Sequence, residues 1–236
     1  MKKILLIQFR TDISLAHEEK CVRGLIGKNR LEVINLLDEN AKIPSALDLK
    51  NYSAVITGGS GQFNVTDWPD DEREKIEKIK PFLGKIIERD FPLLSICFGH
   101  QLLALWFGGI VRSDKSQAES GTFEVRLNND GVGDKLFKSI PQNFYAVLGH
   151  KDTVTKLPEG AKLLGRSDRC SIEAYKIKNN IYSVQFHPEL DLDSIIFRLS
   201  LYPSYRTKAT SEMVKNFHSI PHASKVLLNF IEEVAI

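Results

Sequence analysis

Apolar positions along the chain follow two rhythms. Short runs rich in aliphatic and β-branched residues, bounded by turn formers, alternate with longer stretches in which apolar residues recur every three or four positions. Lys3–Gln8, Leu31–Leu36, Tyr52–Thr57 and Phe91–Cys97 belong to the first kind, and continuous apolar runs of that length mark strands covered on both faces. Leu15–Gly27 and Asp67–Arg89 have the helical period. The second of these opens on acids, carries Ile76, Ile79, Phe82, Leu83, Ile86 and Ile87 along one side, and is expected to be one long helix kinked at Pro81. Phe98–Phe107 is a further helix, closed by Gly108-Gly109. The alternation predicts an α/β fold: an open, mostly parallel twisted sheet with helices on both faces, a three-layer arrangement.

After Gly109 the pieces shorten. Gly121–Leu127, Phe144–Leu148, Ala161–Arg166, Ser171–Lys176 and Ile181–Phe186 read as extra strands, antiparallel in character, whereas Ser194–Leu201 and His222–Val234 read as helices joined by a polar connection holding Pro203 and Pro221. No repeat, low-complexity tract or linker interrupts the pattern. A single domain over residues 1–236 is therefore expected, with a core over about 1–190 and a helical extension over about 191–236.

Composition narrows the function classes. With 42% hydrophobic and 26% charged residues the chain is a folded globular protein. Its 32 Lys+Arg against 30 Asp+Glu leave a net charge of +2, too even for the positive field that nucleic-acid binding relies on. No apolar run is long enough to span a membrane, and Lys2-Lys3 followed by Ile4–Ile7 is too short for a signal-peptide core. The odd, scattered cysteines Cys21, Cys97 and Cys170 form no CxxC pair, which points to free thiols in a cytoplasmic setting.

Three constellations carry candidate chemistry. In Ser95-Ile96-Cys97-Phe98-Gly99-His100-Gln101 a thiol sits where a strand meets a helix, flanked by small residues two positions either side. A sharp strand-to-helix elbow needs that clearance, and a thiol at a helix N-terminus with a base nearby is a nucleophile. A lone cysteine at a strand end is more commonly a small buried hydrophobe, and the flanking pattern is what favours the elbow. In Val184-Gln185-Phe186-His187-Pro188-Glu189 a strand ends in an imidazole and a carboxylate two residues apart, a base with an orienting partner. The alternative is a satisfied core histidine beside a surface glutamate. Gly58-Gly59-Ser60-Gly61 follows a strand and lets backbone amides turn inward to meet an oxyanion, together with the amide of Phe98. Taken alone it is an ordinary glycine-rich turn, and without a Gly-Lys-Ser/Thr ending it is no phosphate loop.

Together these motifs resemble the class I glutamine amidotransferases, in particular the glutaminase domain of GMP synthase and its stand-alone relatives. The family's Gly-x-Cys-x-Gly-x-Gln elbow is matched by Cys97, Gly99 and Gln101, its His-Pro-Glu by His187 and Glu189, and its Gly-Gly-Pro loop by Gly58-Gly59 with Ser60 in place of proline. Gly149-His150-Lys151-Asp152 resembles its His-x-Asp region, and the match runs over about residues 1–190. The resemblance implies a flavodoxin-like fold and a Cys97–His187–Glu189 triad that releases ammonia from glutamine through a γ-glutamyl thioester. It implies an oxyanion hole from the backbone of Gly59 and Phe98, and glutamyl contacts at Gly58, Gly61 and Gln101 and from the backbone near Gly149 and His150. No cofactor and no metal are expected. Ser95 replaces the elbow glycine, and no ATP-pyrophosphatase segment follows residue 190, so the ammonia acceptor is expected on a separate synthase subunit.

Two other readings stay open: a γ-glutamyl peptidase with the same chemistry, and a non-catalytic binding or regulatory subunit keeping the fold. Phe197, Arg198, Tyr202, Tyr205, Arg206, Lys208 and Lys215 are read as a solvated cap over the site edge. His218 and His222 are read as unrelated to metal because Pro221 separates them. Cys21 and Cys170, which lack a local base, are read as packing residues, and Trp68 and Trp106 as core or rim packing.

Overall fold

A computed structural model describes residues 2–205 and 210–235. Arg206 and Lys208 of the expected cap lie outside the described residues. The strands are β1 (Lys3–Gln8), β2 (Leu31–Asn35), β3 (Tyr52–Thr57), β4 (Leu93–Ile96), β5 (Ile110–Ser113), β6 (Glu119–Leu127), β7 (Asn143–His150), β8 (Asp152–Lys156), β9 (Lys162–Arg166), β10 (Ala174–Ile177) and β11 (Ile181–Val184). The helices are α1 (Ser14–Ile26), α2 (Asp70–Glu77), α3 (Lys80–Glu88), α4 (Phe98–Trp106), α5 (Asn129–Val132), α6 (Leu192–Leu201), α7 (Thr210–Val214) and α8 (Ala223–Asn229). One sheet runs β2-β1-β3-β4-β11-β10-β9-β6-β7. Its β2-to-β11 half is parallel, and from β11 outward every pairing is antiparallel.

The apolar run of β1 shows why the sheet needs two helical layers. Ile4 and Leu6 join Val22 and Ile26 of α1 and Val226 and Leu227 of α8 in one cluster. Leu5 and Ile7 point the other way, toward Ile76, Phe82, Ile86 and Leu102. All four strand residues are fully buried, each contributing about 1.5–3 kcal/mol of apolar burial.

Three expectations are corrected. The stretch Asp67–Arg89 is two helices, not one kinked helix. It breaks at Lys78–Ile79, and Pro81 occupies the first turn of α3, where its missing N–H has no helical acceptor to lose. The small ribbon of β5 with β8 was not foreseen; only Val111 of the four β5 residues is buried, so the strand lacks a clear alternating signature. The last helix ends at Asn229 and continues as a π turn over Phe230–Val234.

Where β6, β7 and β8 meet, a fully buried polar cluster replaces apolar packing. His150 sits 3.1 Å from Glu119 through Nε2 and 3.0 Å from the Asp152 carbonyl through Nδ1. Ser167 Oγ donates to Glu119 at 2.7 Å, and Thr153 Oγ1 lies 3.0 Å from Cys170 Sγ. Burial, then the neighbouring Cys170 and Glu119, push the Glu173 carboxyl well above the usual carboxylate range. For Glu119 burial acts in the same direction, but hydrogen bonds from His150 and Ser167 prevail and hold it down. Glu173 therefore keeps its proton in the fold.

This assignment fixes a sign. Unfolded Glu173 ionises near 4.5 while the folded residue keeps its proton, so stability falls as pH rises past that value, by up to about 1.4 kcal/mol per pH unit. Glu173→Gln, which has nothing to ionise, should flatten the decline in urea-unfolding free energy between roughly pH 5 and 8. An unchanged slope would mean that Glu173 is ionised in the fold.

Candidate active site

Strands β1, β3, β4 and β11 all end on one edge of the sheet, the edge where open α/β sheets bind ligands. Cys97 lies between β4 and α4 with φ 50° and ψ −102°. A residue with a side chain holds such a conformation at a cost of about 1–3 kcal/mol, and only where its surroundings enforce it. Here the Cys97 N–H donates to the Val184 carbonyl at 2.9 Å, Gly99 N–H to Gly58 O at 3.1 Å, and Gln101 N–H to Cys97 O at 3.1 Å. Gly99 is obligatory for space: a Cβ there would stand 2.3 Å from Thr57 Oγ1. Ser95, in the place of the expected glycine, is fully buried and accepts a 2.9 Å hydrogen bond from Thr57, so its hydroxyl is accommodated.

His187 and Glu189 follow β11. The His187 N–H donates to Val147 O at 2.8 Å, and Nδ1 lies 2.8 Å from Glu189 Oε1. Cys97, His187 and Glu189 are 3%, 6% and 5% exposed, so their mutual interactions are poorly screened. Burial alone would lower the imidazole pKa; Glu189 and Cys97 override it and raise it to about 10. For Glu189, burial works upward and His187 and Arg198 pull the carboxyl below its ordinary range. At neutral pH the two form a buried ion pair.

The Gly58–Gly61 loop lies against Cys97 and His187, and the Gly59 N–H expected as an oxyanion donor is occupied. A Cβ on Gly59 would lie 2.9 Å from His187 Cε1 and 3.4 Å from Cys97 Cβ, so this glycine touches both groups. Its N–H, however, donates to Glu18 Oε1 at 3.1 Å. Glu18 also takes Arg10 Nη2 at 3.0 Å and Gln8 Nε2 at 3.0 Å. Both Arg10 and Glu18 are 1% exposed. Burial disfavours the Arg10 charge, and Glu18 more than compensates. A Cβ on Gly58 would meet the Glu18 carboxylate at 2.7 Å, which accounts for the second glycine. Phe98 N–H opens α4 and has no intrahelical acceptor. The sequence reading missed Glu18 and Arg10. The available signal was Glu18 on the stripe Ser14, Glu18, Val22, Ile26 that α1 buries; a charge there needs a buried partner.

A narrow cavity of about 40 Å³ adjoins these groups, lined by Arg10, Gly61, Gly149, His187, Arg198 and Tyr202 among others. The Tyr202 ring closes over Gly61, where a Cβ would come within 2.3 Å, and its hydroxyl donates to Asp12 at 2.7 Å. Tyr205 carries the Lys151 ammonium 4.7 Å from its ring centre. These residues of the expected solvated cap are pocket walls. The Cys97 thiol points at Gly149 O, 3.9 Å away. Gln101 and His150 turn elsewhere: Gln101 Nε2 donates to Asp152 O at 2.8 Å and Gln185 Oε1 at 3.0 Å, and the His150 ring belongs to the Glu119 cluster.

The other cysteines have more polar company than expected. Cys21 Sγ is 3.7 Å from His17 Nε2, one helical turn away, and 3.6 Å from Ser194 Oγ, with burial pushing its thiol up. Cys170, Glu119, His150 and Glu173 bring four metal-type donors within 4.8 Å of one another, and of these Glu119 and His150 are bonded to each other. Such donors from distant strands leave no motif to read. His218 stacks on Tyr145 at 4.0 Å while His222 caps α8, so the two serve different elements.

Residues 21–194 match the family model described as glutamine amidotransferase class-I. The chain is 44% identical over 117 residues to one subunit of the glutamine-hydrolyzing GMP synthase of Methanocaldococcus jannaschii, a match covering 49% of this chain and 60% of that protein. It thus spans less than two thirds of that relative. It is 29% identical over 204 residues to gamma-glutamyl peptidase 4 of Arabidopsis thaliana, covering 82% of this chain and 78% of that one. The crystal structure of a glutamine amidotransferase from Thermotoga maritima superposes with a TM-score of 0.77 at 19% identity, over 100% of this chain and 99% of that one, a likeness of fold.

Removing the countercharge tests the ion pair. In Glu189→Gln the His187 pKa should fall from about 10 by on the order of 2 pH units, read by imidazole-nitrogen NMR. The raised pKa stabilises the fold fully below the ordinary histidine value of 6.5 and is lost as pH rises through about 10, so the variant should lose stability at neutral pH and little near pH 10.

Proposed function

Since the chain belongs to the class-I glutamine amidotransferase family, we propose that it hydrolyses the side-chain amide of glutamine with Cys97 as nucleophile, His187 as proton carrier and Glu189 as orienting carboxylate. The observation that carries this reading is the convergence of a left-handed Cys97 elbow with a buried His187–Glu189 pair.

The steps follow from the geometry. In the reacting form the thiol proton already rests on His187, as the imidazolium that Glu189 stabilises. The thiolate attacks the amide carbon, and negative charge moves to the carbonyl oxygen. Phe98 N–H, at the positive end of α4, is free to meet that charge. Gly59 N–H joins it once the peptide turns from Glu18, a rotation that adjacent glycines permit; one such donor is worth roughly 10²–10³ in rate. Collapse expels ammonia with a proton from His187, leaving a γ-glutamyl thioester. Water, deprotonated by His187, then attacks the thioester, releasing glutamate and restoring the thiolate beside the imidazolium.

The name of the Methanocaldococcus relative describes one component of a glutamine-hydrolysing synthase, so a separate ammonia-consuming protein is the partner this reading supplies. A second reading, hydrolysis of γ-glutamyl peptides, uses the same steps with an amine leaving group. It is favoured by the peptidase relative, whose match spans 82% of the chain. The three free cysteines suit a reducing compartment such as the cytoplasm, and no described helix is long and apolar enough to cross a membrane.

Glutamate release from glutamine and from a panel of γ-glutamyl peptides tests the proposal. Cys97→Ser should lower kcat by at least about 10³-fold with an unchanged Tm; a variant of undiminished activity would end it. Preference for glutamine supports the amidotransferase reading, and preference for peptides the second.

A further inference from the structure

The wall of the cavity facing His187 comes from α6, past residue 194 where the family match stops, and it holds a cation that the steps above do not use. Arg198 is 6% exposed. Its Nε donates to His17 Nδ1 at 3.0 Å, and burial, then Arg198 itself, lower the His17 pKa, so that acceptor is a neutral ring. Nη2 is buried and has no hydrogen-bond partner among the described residues. The carboxylates nearby are committed: Glu18 to Arg10, Gln8 and the Gly59 amide, and Glu189 through Oε1 to His187. Glu189 Oε2 is also unpaired, and so out of hydrogen-bond reach of Nη2. Arg10 lines the same cavity, repels Arg198, and has its own buried Nε without a partner among the described residues.

Two guanidinium groups, each with an unpaired buried nitrogen, thus border one small space beside Cys97. Unpaired N–H groups on buried cations are costly, and a planar carboxylate is the acceptor whose geometry suits a guanidinium fork. Gly149, whose carbonyl faces the Cys97 thiol, lines the cavity together with Arg198. A substrate amide at the Cys97 end therefore directs the rest of its chain toward Arg198. The Gln101 side chain, expected from the sequence to contact the glutamyl group, is bonded elsewhere.

We infer that Arg198, backed by Arg10, receives the α-carboxylate of a γ-glutamyl substrate and is the residue that selects glutamyl compounds over simple amides. The inference rests on the proposed reading of the site, but it concerns binding and can be tested without turnover.

The test is iodoacetamide alkylation of Cys97 in the full chain, followed by peptide mass spectrometry, with L-glutamate or 4-aminobutanoate as protectant. The second compound lacks only the α-carboxylate. L-glutamate should protect the wild type, and its half-protecting concentration should rise roughly 10- to 100-fold in Arg198→Met, the loss of one charge-assisted partner. Arg198→Lys, which keeps the charge and loses the fork, should fall between. Read against each protein's own alkylation rate without protectant, the weak protection by 4-aminobutanoate should be the same in all three proteins. Equal loss for both compounds would make Arg198 a packing residue of α6, and absence of glutamate protection in the wild type, or its full retention in Arg198→Met, would overturn the assignment. Glutamate release by the wild type reports separately: turnover with no effect of Arg198→Met defeats the anchor and leaves the proposed function standing.

Discussion

The site depends on one backbone conformation. Cys97 is held at positive φ because the sheet on either side leaves it no alternative: its N–H is bonded to β11, the next turn of α4 is bonded to the β3 loop, and Gly99 lies against Thr57. The elbow also joins the two layers, since Cys97 belongs to the apolar cluster on one face and Phe98 to the cluster on the other. Strain at this residue is offset by packing on both sides of the sheet. The same constraint points the start of α4 at the thiol.

Around the elbow the charges come in buried pairs, Arg10 with Glu18 and His187 with Glu189. Burying such pairs seldom adds stability over apolar residues of the same size. Their presence here is better explained by chemistry. One pair keeps an imidazole charged, and the other sets the direction of the Gly59 amide. Both act on atoms within a few ångströms of the same sulfur, so the electrostatics and the loop conformation are coupled.

The parallel half of the sheet was legible because strands covered on both faces must be apolar throughout, as Ile4–Ile7 are. The elbow and His187–Glu189 were legible because each is a short local pattern with a steric or chemical reason. Other features depend on contacts between distant segments. Pro81 reads as a kink or a start according to where the preceding helix stops, and that is settled by how Ile76 and Ile79 meet the core. Glu18 was hidden in an ordinary amphipathic helix, and Arg10 beyond the end of an obvious strand. Glu119, His150, Cys170 and Glu173 arrive from separate strands and loops with no common spacing. Arg198 and Tyr202 looked like solvent-facing cap residues because a helix with one polar stripe does not say what that stripe faces.

The placement of α8 bears on how the chain reaches this state. Phe230 and Val226 are fully buried in the same cluster as Ile4 and Leu6, so residues separated by nearly the whole chain complete a single layer. Contacts of such long sequence separation form late, after a large loop-closure cost. During synthesis the face of the sheet that receives α8 stays uncovered until Ala223–Asn229 has emerged, and in that interval the nascent protein exposes an apolar surface of the kind that chaperones recognise.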